Sequence, residues 1–357
     1  MFNAYKKWCI RCIVSVLTLL LIMGGSVAAV DPYFHYHRPL KDLSYRIYDE
    51  RYQNDGILRH FAYDAVITGT SMTENFRTSE LDQLFQVHAV KVPFAGASYK
   101  EINDRLKTAF QRDEPVRMVV RGLDCSMLLD APDEMNYDDS IYPEYLYDDR
   151  LFNDVNYLLN KEVFLDMIRN VFLYTGSGEE TTDFDSYANW NGAMKFGKEA
   201  VDLTYTRREE RAEEKIPFTG RDRKNVRENI TQNVIDLASK NPDTEFYLFF
   251  TPYSIYYWDA IDRDGSICQY LEAERYAISL LLQQENIHLF SFFTEFDMIC
   301  DLNNYKDVQH YSEEINSQIL RWMKEGKHEL TPENYEAYCA EMRAFYLNYD
   351  YDALFEN

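Results

Sequence analysis

The sequence predicts an α/β domain built on a parallel sheet of about five strands, carried behind one apolar N-terminal helix. Three observations predict it. From residue 62 onward, short apolar runs alternate with polar turns and amphipathic stretches, as strands alternate with helices in α/β domains. Residues 12–30 (CIVSVLTLLLIMGGSVAAV) are 19 uncharged, mostly apolar residues, long enough to cross a bilayer. The 29 Tyr, 22 Phe and 4 Trp supply ample surface to bury, so the net charge of −23 over 357 residues does not signify disorder.

Charge is placed unevenly. Lys6, Lys7 and Arg11 precede the apolar segment and no acid lies in residues 1–30, so the acidity belongs to residues 31–357. The basic cluster holds that end in the cytoplasm and sends everything after Asp31 outside. A cleaved signal peptide ending near Val27-Ala28-Ala29 is the competing reading and makes the protein secreted, although the apolar region of such peptides is usually shorter. The acidic balance excludes a nucleic-acid partner, which requires a Lys/Arg surface.

Residues 31–61 come next as a polar and aromatic stalk packing on the domain, with His35 and His37 expected at the surface and too few neighbours for a metal. Residues 64–69 (DAVITG) read as a first buried strand and 87–92 (VHAVKV) as a second. Residues 99–112 are helical, with Ile102, Leu106 and Phe110 four apart on one face. Residues 116–122 (VRMVVRG) form a third strand, 245–251 (EFYLFFT) a fourth and 287–290 a short fifth. Helices are expected over 225–240, 267–284 and 312–324. The more than 120 residues between the third and fourth strands exceed a simple crossover, so 125–220 is an insertion. It opens on an acidic stretch, 130–150, with eight acids and a single base and no calcium-loop spacing, then turns helical over 158–174 and aromatic over 187–196 (YANWNGAMKF). Such an insertion is placed to cover an active site. The tail 326–357 is acidic and Tyr-rich. Cys125, Cys268, Cys300 and Cys339 show no paired spacing, and four buried thiols are expected.

Functional residues of a parallel sheet collect where strands end. The first strand runs into Gly69-Thr70-Ser71-Met72-Thr73-Glu74-Asn75-Phe76, whose glycine allows a sharp turn that exposes the Ser71 hydroxyl at the rim. The second ends in Pro93-Phe94-Ala95-Gly96-Ala97-Ser98, where Gly96 can offer a bare backbone N–H. Before the last helix comes Asp307-Val308-Gln309-His310, a span that brings the carboxylate back to one ring nitrogen and leaves the other free as a base. A serine after a strand is more often a helix cap, and a D-x-x-H spacing is common. Their shared order at one end of one sheet gives them weight.

GTSMTENF, PFAGAS and DVQH resemble the first, second and fifth sequence blocks of the SGNH (GDSL-like) hydrolase superfamily, over about residues 64–322. The anchor, the long insertion and the Asp-x-x-His pattern are most similar to its membrane-associated branch, which includes DltD-like and polysaccharide O-acetylation proteins. The resemblance implies a three-layer flavodoxin-like fold in a catalytic domain over 62–325, with 326–357 as an extension. It implies Ser71 as nucleophile, His310 as general base, Asp307 as its orienting carboxylate, and the N–H groups of Ser71 and Gly96 as oxyanion donors. It further implies a serine esterase or O-acyltransferase acting on acetyl or D-alanyl esters of envelope polysaccharide or teichoic acid, without a cofactor or metal. Transfer outside the cytoplasm, where acyl-CoA is absent, calls for a multi-spanning membrane acyltransferase partner.

One departure stands out. The superfamily's third block ends its strand with an asparagine that donates to the oxyanion, whereas here the strand ends Arg121-Gly122-Leu123-Asp124-Cys125. Losing such a donor costs roughly 3–4 kcal/mol of transition-state stabilisation. A non-catalytic carbohydrate-binding or scaffolding protein with a degraded site is the alternative. Tyr253, Tyr257 and Trp258, in TPYSIYYW beyond the fourth strand, are the expected substrate-binding aromatics, with core packing the competing role.

Overall fold

The computed structural model describes residues 2–138 and 141–356, so Asp139 and Ser140 of the acidic stretch lie outside the described residues. The chain divides into two compact units. One comprises Met1–Phe61 and Asp138–Asp183, the other Ala62–Tyr137 and Phe184–Asn357.

The second unit holds a six-stranded sheet of β1 (Ala65–Gly69), β2 (Ala89–Pro93), β3 (Met118–Leu123), β4 (Glu245–Phe250), β5 (Ile287–Ser291) and β6 (Glu329–Leu330), in the order β2-β1-β3-β4-β5-β6. The first five are parallel and fall on the five expected runs. Every residue of β1, β2 and β3 is buried, as it must be where both faces of a parallel sheet are covered. β6 lies outside the expected runs. Its two residues pair antiparallel with β5, Leu330 opposite Leu289, and tie the acidic tail to the sheet's edge. Two residues carry no readable period.

The helices start where their caps dictate. Ser98 and Glu101 exchange side-chain and backbone hydrogen bonds at the head of Tyr99–Leu106, which then tightens into a 3₁₀ turn over Lys107–Phe110 instead of running on as one helix. A second such box, Thr219 with Asp222, starts Gly220–Ile230 earlier than expected. The tail helix Tyr335–Asn348 docks through Tyr346, whose ring stacks 3.8 Å from that of Trp258.

Two buried cations lie within apolar strands. The Lys91 ammonium donates to the carbonyls of Glu74 and Phe76, and Arg121 donates to those of Asn233 (2.7 Å) and Tyr99 (3.1 Å). Burial lowers the Arg121 guanidinium to about 10. Among the thiols only Cys125 is fully buried. Cys268, Cys300 and Cys339 are half-exposed, and all six cysteines are free.

The first unit opens with a 29-residue helix, Phe2–Val30, apolar and long enough to cross a membrane and exposed over residues 4–22. Residues 31–61 form one compact unit with 141–183 of the insertion. Asp31 is the hinge of that packing. Fully buried, it accepts the N–H groups of His35, Tyr36 and His37 and the Tyr157 hydroxyl at 2.7 Å. His35 is therefore not a free surface residue. Its ring lies 4.6 Å from that of Tyr36 and its Nε2 3.6 Å from Asp154.

Glu274, on the helix Ile267–Leu281, is buried and accepts from the Tyr338 hydroxyl at 2.9 Å. Burial raises its carboxyl to about 8, against weaker opposition from the Tyr338 and Ser291 hydrogen bonds. Folding therefore takes up a proton at this site. The associated stability is complete below the ordinary glutamate range and is lost as pH rises through about 8. Glu274→Gln should flatten this decline and exceed the parent in stability above that pH, read from denaturant midpoints across a pH series.

Candidate active site

The site is built from two turns at the carboxyl edge of the sheet. β1 ends at Gly69, whose φ of +150° and near contact with Thr73, 2.6 Å from where a Cβ would stand, admit no side chain. The chain then enters a 3₁₀ turn, Ser71–Thr73, capped by the Thr70 hydroxyl. Ser71 is its first residue, so its N–H has no acceptor inside the turn. The Met72 carbonyl accepts from the Tyr311 hydroxyl (3.1 Å) and from Asn316 Nδ2 (3.3 Å). The Thr70 hydroxyl donates to Asp124 at 2.8 Å.

The second turn spans Tyr305–Tyr311, two residues joined by an antiparallel bridge. Inside it, Asp307 Oδ1 accepts the N–H groups of Gln309 (2.9 Å) and His310 (2.8 Å). Ser254 donates its hydroxyl to the Val308 carbonyl at 2.7 Å, and Tyr305 donates to the Pro252 carbonyl at 3.0 Å. The turn is thereby fastened to the segment after β4.

These two turns bring three of the expected residues into contact. Ser71 Oγ lies 2.8 Å from His310 Nε2, and His310 Nδ1 lies 2.8 Å from Asp307 Oδ2. A carboxylate only accepts, so Nδ1 carries the ring proton and Nε2 is left to accept from Ser71. Burial pushes the Asp307 carboxyl up, but the His310 ring and the two backbone N–H groups outweigh it and hold it below the usual range. Asp307 is thus ionised across the neutral range, as an orienting carboxylate must be.

Gly96 follows β2 on the same edge, in a turn where Phe94 N–H bonds the Gly69 carbonyl at 2.8 Å. Its φ is +69°, and a Cβ there would meet the Tyr137 hydroxyl at 2.4 Å. Glycine is the residue that this backbone conformation favours.

Tyr253, Tyr257 and Trp258 do not present surfaces to a substrate. Each is buried: Tyr253 donates to Asp124, Tyr257 contacts Cys125 Sγ at 4.0 Å, and Trp258 stacks on Tyr346. Tyr257 and Trp258 lie on the helix Ile255–Arg263 and Tyr253 in the turn that leads into it, and all three rings point into the core. The aromatic beside the triad is instead Trp190, from the insertion. Its half-buried ring meets His310 edge-on at 5.7 Å, with the Lys306 ammonium 4.0 Å from its centroid. Trp190 Nε1 donates to Glu74 Oε2 (2.6 Å), its backbone N–H donates to Asn75 Oδ1 (3.1 Å), and the next residue, Asn191, accepts the Glu313 N–H at 2.9 Å. Residues 190–191 therefore strap the serine turn to the histidine turn. The aromatic run 187–196 was the available signal.

Asp124 occupies the strand end where the asparagine was expected. It accepts from Thr70 (2.8 Å), Thr251 (3.2 Å) and Tyr253, and among the described residues no cation is bonded to it. Burial raises its carboxyl, and these three hydrogen bonds only partly offset that. No family model matches the chain, and no match is found among curated proteins.

A carboxylate can satisfy all three donors around residue 124, whereas an amide offers one oxygen to them. Asp124→Asn should cost about 1–3 kcal/mol of stability, visible as a lower denaturant midpoint at unchanged m-value.

Proposed function

We propose that the protein is a membrane-anchored serine acyl esterase or O-acyltransferase of the SGNH type, acting outside the cytoplasm on acyl esters of envelope glycans. The observation that carries this reading is the relay from Ser71 Oγ to His310 Nε2 and from His310 Nδ1 to Asp307 Oδ2, both hydrogen bonds 2.8 Å. The strand order 2-1-3-4-5, extended by an antiparallel edge, supports a flavodoxin-like sheet, with the site beside the switch point between β1 and β3.

In this mechanism His310 Nε2 takes the Ser71 proton as Oγ attacks the ester carbonyl. The N–H groups of Ser71 and Gly96 receive the oxyanion. Collapse transfers the proton from His310 to the leaving group of the acyl donor, a sugar oxygen in hydrolysis and the partner's carrier in transfer, and leaves an acyl-Ser71. A second hydroxyl, deprotonated by His310, then attacks that ester and restores the serine. Water in this step makes an esterase, and a glycan hydroxyl makes a transferase. For transfer, a multi-spanning membrane partner supplies the acyl group, which is acetyl or D-alanyl. The acidic domain favours neutral glycans over teichoic phosphates as the polymer. The mechanism requires no cofactor.

Asp124 in place of an amide donor is the observation that favours a non-catalytic glycan-binding role. A serine-reactive phosphonate separates the two. It should label the parent chain at Ser71 and leave Ser71→Ala untouched, while Asp307→Asn slows labelling by roughly 10³–10⁴-fold through loss of the productive tautomer. A parent chain that resists the reagent sinks the enzymatic reading. Loss of the gene should raise wall-bound ester for an esterase and lower it for a transferase.

A further inference from the structure

We infer that residues 151–159 form a second membrane contact, an apolar collar seated in the outer leaflet beside the N-terminal helix. The inference rests on that helix spanning the bilayer. Leu151, Phe152 and Val155 are 78%, 99% and 50% exposed, an unusual density of open apolar surface for so short a segment. Between Arg150 and Lys161 the single charged side chain is Asp154, which is buried and accepts the Tyr36 hydroxyl at 2.8 Å. The tip is therefore uncharged outward, as suits a segment seated among acyl chains, and its charges are held to the flanks, Asp148, Asp149 and Arg150 before it and Lys161 and Glu162 after it.

Depth follows from helix length. A hydrocarbon core of about 30 Å takes about 20 helical residues at 1.5 Å each. The uncharged run between Arg11 and Asp31 is 19 residues, so the whole of it is needed to cross. Gly24 then lies about 10 Å inside the outer boundary. At Gly24 the helix is met by the collar: a Cβ there would touch Leu159 at 3.3 Å and Leu158 at 3.6 Å. The helix is exposed through residue 22 and turns alternately buried from Gly24, where the segment Val155–Leu158 packs on it. Leu158 and Leu159 share the depth of Gly24, and the exposed side chains ahead of them face lipid at that level.

The full chain is reconstituted into phosphatidylcholine vesicles containing lipid brominated along its acyl chains. Phe152→Trp and Leu20→Trp are compared with the parent. Phe152 is fully open, so the exchange disturbs no packing. The added tryptophan at 152 should emit blue-shifted light, lose emission to brominated lipid much as that at 20 does, and resist aqueous iodide. Iodide quenching at 152 with lipid quenching retained at 20 overturns the collar alone. Absence of lipid quenching at both positions overturns the anchor, and the collar with it.

Discussion

The Ser71–His310 hydrogen bond joins residues 239 apart in sequence, and it holds only because the backbone on either side of each is already fixed. Tyr311, the neighbour of His310, donates to the carbonyl of Met72, the neighbour of Ser71. A movement of one turn is thus a movement of both. Trp190 closes the same gap from above through Glu74, Asn75 and the edge of the imidazole. In the proposed reaction, pre-organisation of this kind positions the nucleophile and base without spending substrate binding energy.

Beneath the turns, polar groups are buried at positions an apolar core would otherwise fill. Lys91 fastens the carbonyls of Glu74 and Phe76, and Asp124 collects the hydroxyls of Thr70, Thr251 and Tyr253. Each joins a strand end to the serine turn or to the segment after β4. Hydrogen bonding keeps these groups tolerable, and removing one partner leaves a desolvated group exposed to the full cost of burial. Their value lies in fixing one arrangement of the rim, a role that hydrophobic packing, being non-directional, performs poorly.

Much of the site was readable because its determinants are local. Gly69 and Gly96 mark turns whose positive φ favours glycine, and Asp307 reaches His310 three residues on while accepting the N–H groups of Gln309 and of His310 itself. The misreadings share a cause. Tyr253, Tyr257 and Trp258 lie at the right strand end, but whether a rim aromatic faces out or in depends on the tail helix, which arrives some 80 residues later to stack Tyr346 on Trp258. Lys91 was hidden inside an apolar run for the same reason, since its partners are carbonyls of another segment.

The alternation of strands and helices, the apolar N-terminal helix and the residue types at each strand end are set by amino-acid order alone, because periodicity, charge and glycine placement act over a few residues. Long-range packing selected which aromatic borders the histidine, how residues 31–61 share a compact unit with 138–183 of the insertion, and that the tail adds a sixth strand. Those outcomes depend on side-chain direction and pairing between distant segments, where many partners satisfy the same local pattern and only the assembled fold admits one.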